Sequence, residues 1–319
     1  MSEGGAVLAA IDEQVHAADP AVWSWNESWY FSWIDLDGGP AGFFRLGLLP
    51  NQNRAMVWSY VFRDGVWFGT DESRLRFDHF DLMHGMAYDQ HGLRFAWRPD
   101  DAAAKFGFEG VVRVVTGAGA GGFTPLSIDL DATPTTERIG TGTGSDLGSE
   151  QYPAARFEQS MQVDGTVTID SVTHAIRAAG HRDRSWGPRN WRVAFTLGDL
   201  QSDDAQLYFV GGPQLAERGG GYLRDASGFR SLRCTGGEID YDDAARTIAP
   251  AKLRFAAVDG DEELDVELVP ASPSVSFDMA HTCEVPEHWL YWRILVDAHV
   301  SGWAKPARGW VEASRYGIA

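Results

Sequence analysis

From Trp23 onward, apolar residues recur mostly at every second position, in short runs closed by turn-forming residues. Met56–Phe62, Val111–Val115, Thr166–Ile169, Val193–Leu197, Leu207–Val210 and Leu264–Val269 all read this way. A period of two sends successive side chains to opposite faces of a strand, which suits a sheet and not a helix. Asp37-Gly38-Gly39-Pro40, Asp64-Gly65, Asp164-Gly165 and Asp259-Gly260 supply the turns. Many short strands with this punctuation specify a sandwich or barrel, so the expected fold is all-β. The segment 6–18 (AVLAAIDEQVHAA) departs from the pattern. Its stripe of Val7, Ile11 and Val15 predicts a short N-terminal helix that Pro20 ends. Asp100–Phe106 and Asp242–Arg246 offer brief helical turns. Thr133–Tyr152, rich in Thr, Gly and Ser, reads as a linker. The predicted division is thus a helix over 1–20 and β domains over 21–150 and 151–319.

Charge narrows the partners. With 45 acidic against 27 basic residues and a formal charge of −18, the chain lacks the basic excess that nucleic acid or anionic membrane surfaces require. No run approaches the ~20 apolar residues of a membrane span. Residues 1–21 carry Glu3, Asp12, Glu13 and Asp19 and no basic start, so no signal peptide is expected. Cys234 and Cys283 are then expected as reduced thiols in the cytoplasm.

Two segments concentrate chemistry. In Trp23–Trp33 (WSWNESWYFSW), strand alternation puts Trp23, Trp25, Glu27, Trp29, Phe31 and Trp33 on one face. A carboxyl enclosed by rings would be favoured in its neutral form, making Glu27 a candidate acid. The alternative is that an Arg pairs it and the rings are core. In Gly180–Trp191 (GHRDRSWGPRNW), His181, Asp183 and Ser185 share one face while Arg182, Arg184 and Trp186 share the other. His181 and Asp183 can then act together, with the flanking arginines favouring the charged form of Asp183. Arg–Asp ladders that merely pin sheets together remain the alternative.

Other motifs fail on context. Gly117-Ala-Gly119-Ala-Gly-Gly122 fits G-x-G-x-x-G, yet an alternating run follows where a dinucleotide site needs a helix, so it reads as a hairpin loop. The nine His residues show no metal-ligand spacing, and His281 with Cys283 is an isolated pair, so no metal is expected. There is no G-x-S-x-G elbow. Chemistry, if present, rests on acid–base groups without a cofactor.

Glu27-Ser-Trp-Tyr-Phe-Ser-Trp33, Gly180-His-Arg-Asp-Arg-Ser-Trp-Gly-Pro-Arg189 and Trp310-Val-Glu-Ala-Ser-Arg-Tyr-Gly317 make the chain resemble the carotenoid 1,2-hydratase (hydroxyneurosporene synthase) and AttH-like superfamily. The resemblance implies two lipocalin-like β domains packed together around a hydrophobic pocket, and hydratase or cyclase chemistry. It carries Asp183 and Trp186, and more loosely Glu27 and Glu312, into the site. The family often has His where this chain has Arg184, and His181 lies on the other strand face and cannot replace it.

The leading expectation is an acid–base hydratase, dehydratase, isomerase or cyclase acting on an apolar terpenoid, steroid or polyketide-like molecule. Glu27, Asp183 and His181 would handle protons. Trp25, Trp29, Trp33, Arg184, Trp186, Trp191 and Glu312 would contact substrate, with Trp faces stabilising cationic character. The 13 Trp, 17 Phe and 9 Tyr make such a lining available. The rivals are a non-catalytic carrier of the same ligand class and a carbohydrate-active sandwich, whose Trp residues would need more polar company.

Overall fold

The computed structural model describes residues 15–76, 87–90, 92–97, 103–140, 155–189, 191, 193–212, 215, 219–277 and 289–316. Strands make up nearly all of their regular structure, as the alternation predicts. The chain divides into two units, Met1–Asn190 and Trp191–Ala319.

The first unit contains β1 (Trp25–Ile34), β2 (Ala41–Leu49), β3 (Arg54–Arg63), β4 (Val66–Arg76), β5 (Ala87–Gln90), β6 (Leu93–Trp97), β7 (Ala104–Val114), β8 (Phe123–Pro134), β9 (Ile139–Gly140), β10 (Ala155–Ile169) and β11 (Val172–Pro188). Its strand order is β4-β3-β2-β1-β11-β10-β8-β7, and a β4–β7 pairing closes these eight into a barrel. The boundary falls near residue 190 rather than 150 because β10 and β11 fill the gap between β8 and β1. Without that hairpin the ring is open. The interior is apolar, with Trp29, Phe31, Trp33, Phe44, Phe95, Phe106 and Ile128 in one core. The rings of Phe31, Phe44 and Phe106 lie 4.6–5.2 Å apart by centroid, so this part of the aromatic stripe packs on itself.

The second unit contains β12 (Phe195–Gln201), β13 (Gln206–Gly211), β14 (Gly220–Asp225), β15 (Gly228–Glu238), β16 (Tyr241–Asp242), β17 (Thr247–Ile248), β18 (Ala251–Ala257), β19 (Glu263–Pro270), β20 (Val275–Ser276), β21 (Trp289–Val300) and β22 (Ala307–Tyr316). The order β19-β18-β15-β14-β13-β12-β22-β21 returns to β19 through a β19–β21 pairing, again a ring of eight. Phe209, Phe255, Trp292, Ile294 and Val311 are among its core residues.

Local expectations fare unevenly. The glycine-rich stretch 117–122 is the β7–β8 hairpin, with Gly121 and Gly122 bonded back to Val114. Asp164-Gly165 is not a turn. It lies inside β10, where a side chain at Gly165 would strike the Asp129 carbonyl, and the chain reverses instead at Asp170–Ser171. Of the expected N-terminal helix, residues 6–14 lie outside the described residues, and Val15–Ala18 are not helical. Asp242–Arg246 is a turn between β16 and β17, and the described part of Asp100–Phe106 enters β7 as strand. Cys234 is a buried free thiol, while His281 and Cys283 lie outside the described residues. No helix among the described residues is long and apolar enough to cross a membrane.

Candidate active site

The β1–β11–β10 ribbon carries the two segments singled out in the sequence, and its register decides which residues meet. Trp29 faces Arg184 and Glu27 faces Trp186 across β1 and β11, while Tyr30 faces Asp183 and Ser32 faces His181. Directly opposed residues point the same way. Glu27, Trp29, Arg184 and Trp186 therefore share the inner, barrel-facing side. His181, Asp183 and Ser185 share the outer side with Ser28, Tyr30 and Ser32. Glu27 and Asp183, expected as partners in one cavity, are separated by the sheet.

On the inner side Glu27 is not an isolated acid. Its carboxylate is ion-paired to Arg184, and both side chains are 0% exposed. The Trp25 indole donates to it at 3.3 Å, and the His16 backbone N–H donates at the same distance. The His16 ring nitrogen sits 3.4 Å from Glu27 and 3.3 Å from Arg184. That ring stacks on Trp186 at 4.2 Å and 8°, and Arg184 lies over Trp29 at 4.1 Å. His16 thus brings an imidazole to Arg184, a role His181 cannot take from the opposite face. Val15 packs against the barrel core.

On the outer side the sequence missed two residues. Glu158 lies opposite Asp183 on β10, with Arg156 two positions before it. Arg156 is ion-paired to Glu158 and reaches Asp183 at 2.6 Å. His181 hydrogen-bonds Glu158. The arginines beside Asp183 in sequence point to the other face, so Arg156 is its cation. Burial pushes the Glu158 carboxyl above the usual carboxylate range. Arg156 opposes that shift, the Asp183 charge adds to it, and His181 opposes it again. Asp183 keeps 12% side-chain exposure, and Glu158 none. Burial thus favours the neutral form of Glu158, beside an Asp183 that keeps some exposure.

The remaining expected residues are placed as follows. Trp33 is inner-face core and Trp25 half-buried, while Trp23 is exposed ahead of the strand. Trp191 and Glu312 belong to the second unit. Glu312 is paired there to Arg293 and accepts a hydrogen bond from the Tyr291 hydroxyl. No group of three metal-ligand side chains forms an ion site among the described residues.

Solved structures share this fold. The crystal structure of CghA with Sch210972 is 13% identical, with a TM-score of 0.53, over 98% of this chain and 97% of that one. A crystal structure of CghA is 12% identical with a TM-score of 0.50, covering 99% and 97%. Kievitone hydratase from Nectria haematococca is 12% identical with a TM-score of 0.50, covering 98% and 94%. A search of curated proteins finds no match. A family model described as a domain of unknown function, DUF7064, matches residues 9–313, and the chain belongs to that family.

Proposed function

We propose that this protein is a cofactor-independent acid–base enzyme, a hydratase, dehydratase, isomerase or cyclase of an apolar small molecule, working in the cytoplasm. The outer face of the β1–β11–β10 ribbon is its reactive surface. One observation carries the reading: Glu158, raised toward its protonated form, is held by Arg156 and His181 beside the partly exposed Asp183. Perturbed carboxyls in such pairs mark functional sites, and a neutral acid next to a charged one serves both halves of a proton transfer. In a dehydration, Asp183 takes a proton from carbon. A proton from Glu158, passed through His181, leaves with the hydroxyl as water, and the C–C double bond forms. Hydration runs the same steps backwards. Arg156 holds Asp183 in place. The inner Glu27–Arg184 pair fixes the register of β1 on β11.

Fold alone does not give a reaction. The names of the structural neighbours, a hydratase and a protein crystallised with the small molecule Sch210972, agree with this class, as does the sequence resemblance to carotenoid 1,2-hydratases. A carrier is the second reading, favoured by the full pairing of Arg156 with both carboxylates, which also suits a structural anchor. Asp183→Asn and Glu158→Gln separate the two. Each variant is incubated with an apolar extract and the products are followed by mass spectrometry, with circular dichroism as the folding control. Loss of product with folding and ligand binding retained supports the enzyme. Ligand binding without product in the unaltered protein supports the carrier.

A further inference from the structure

The outer face holds a row of polar side chains that the proton-handling cluster does not use. Along β1 and β11 the facing positions run Ser32 with His181, Tyr30 with Asp183, Ser28 with Ser185 and Asn26 with Gly187. Asn26, Ser32 and Ser185 are 0%, 1% and 1% exposed. Neither the amide of Asn26 nor the hydroxyls of Ser32 and Ser185 has a hydrogen-bond partner in the structure. Ser28, in the same row, differs: its hydroxyl accepts from Arg45 at 2.9 Å. Buried amides and hydroxyls are nearly always satisfied, because an unpartnered one bears its full desolvation cost. Three in one row, on both sides of Asp183, have no partner among the described residues and leave room for one supplied by a ligand.

We infer that this row receives an oxygenated ligand, an apolar skeleton bearing at least two neutral oxygens, hydroxyl or carbonyl, which Asn26, Ser32 and Ser185 hydrogen-bond. The inference rests on the function proposed above and names the substrate class of that site. A pure hydrocarbon would leave all three groups unsatisfied in the complex. Asp183 and Glu158 line the same face and engage Arg156, while the row's other guanidinium, Arg45, is held by Ser28 and the Trp58 ring, so neutral oxygens are the better match. Strand spacing of about 3.3 Å per residue puts Ser185 roughly 13 Å from the Ser32–His181 end, with Asp183 midway. The ligand therefore carries an oxygen towards each end and its reacting carbon between them.

The test uses matched probes that differ only in oxygen: androstane against androstane-3,17-diol, and naphthalene against 2,6-dihydroxynaphthalene. Tryptophan fluorescence titrations give affinities for the unaltered full chain and for Asn26→Leu, Ser32→Ala and Ser185→Ala, with melting temperatures measured without probe. On at least one skeleton the oxygenated probe should bind about tenfold tighter or better. Each substitution should shrink that preference by about twofold to tenfold and leave the ligand-free melting temperature unchanged or higher. Equal affinity of hydrocarbon and diol on both skeletons, or a preference that survives all three substitutions, overturns the inference. A fall in melting temperature with the preference intact also overturns it, since ordered water would then be the partner. Failure of every probe to bind overturns it too. The acid–base reading is judged separately, by product formation in Asp183→Asn and Glu158→Gln.

Discussion

On one three-stranded ribbon, the two faces handle charge in opposite ways. The inner face pairs Glu27 with Arg184, sealed beneath Trp25, Trp29 and Trp186, and holds Arg182 through the neutral Gln159. On the outer face Arg156 is shared by two carboxyls, with His181 as the third participant, while Arg45 reaches Ser28 in the same row. A matched pair is complete as it stands. On the outer face, burial and the Asp183 charge push the Glu158 carboxyl up against the opposing pull of Arg156 and His181. Both faces are dense in charge; they differ in that one guanidinium is shared by two carboxyls on the outer side.

The largest expected effect tests that contrast directly. Asp183→Asn and Glu158→Gln should lower turnover by ~10²–10⁴, whereas Glu27→Gln should lower it no more than its loss of folded protein explains. Steady-state rates corrected for the folded fraction decide the matter, and an equal specific loss in Glu27→Gln would erase the distinction. Next, Arg184→Met strands a buried carboxylate and should cost about 3–5 kcal/mol in urea unfolding. Adding Glu27→Leu should restore most of that, because a matched pair can be exchanged for apolar residues. The outer face should not tolerate the same exchange.

The third effect depends on pH. A carboxyl raised in the folded state binds its proton more tightly there than in the unfolded chain. Its stabilisation is complete below the unfolded value and is lost as pH rises through the folded one. Unfolding titrations should therefore show stability falling over that window, by about 1.4 kcal/mol for each unit separating the two states. Glu158→Gln should flatten the fall. The smallest effect is His16→Ala, which removes the ring stacked on Trp186 and should cost about 0.5–1.5 kcal/mol. An altered Trp emission with turnover unchanged would keep His16 on the structural side of the comparison.

Alternation alone made much of this visible in the sequence. It assigns the faces of β1 and β11 correctly, but the arginines flanking Asp183 in sequence turn to the other face, and Trp29, Phe31 and Trp33 are core, which the sequence held only as the alternative to a substrate lining. Glu158 and Arg156 escaped because Asp164-Gly165 looks like a turn. A glycine that lets β8 approach leaves the same local signature as a glycine that reverses the chain. Counting outward from Asp170–Ser171 instead, residue 169 meets 172 and Glu158 arrives opposite Asp183. His16 left no signal, since the Val7, Ile11 and Val15 stripe beside it reads as helix and its own contacts are made far along the chain. The unsatisfied Asn26, Ser32 and Ser185 look like any polar strand face until their burial is known.

The closure of the first barrel bears on how that unit comes apart. The β4–β7 seam consists of two residue pairs, Phe68 with Val114 and Gly69 with Arg113, whereas the second ring closes through five. A ring is free of edges only while its shortest ladder holds. Gly69 is wedged against the Tyr60 ring and the Ser59 carbonyl, so a larger side chain cannot be fitted there to strengthen the join. The seam amides should exchange with solvent well before those of the fifteen-pair β10–β11 ladder. Each such opening leaves β4, and the part of β7 beyond its pairing with β6, as edges able to template onto another chain. For this protein, resistance to aggregation is therefore set less by the depth of its aromatic core than by how quickly two pairs of residues re-form.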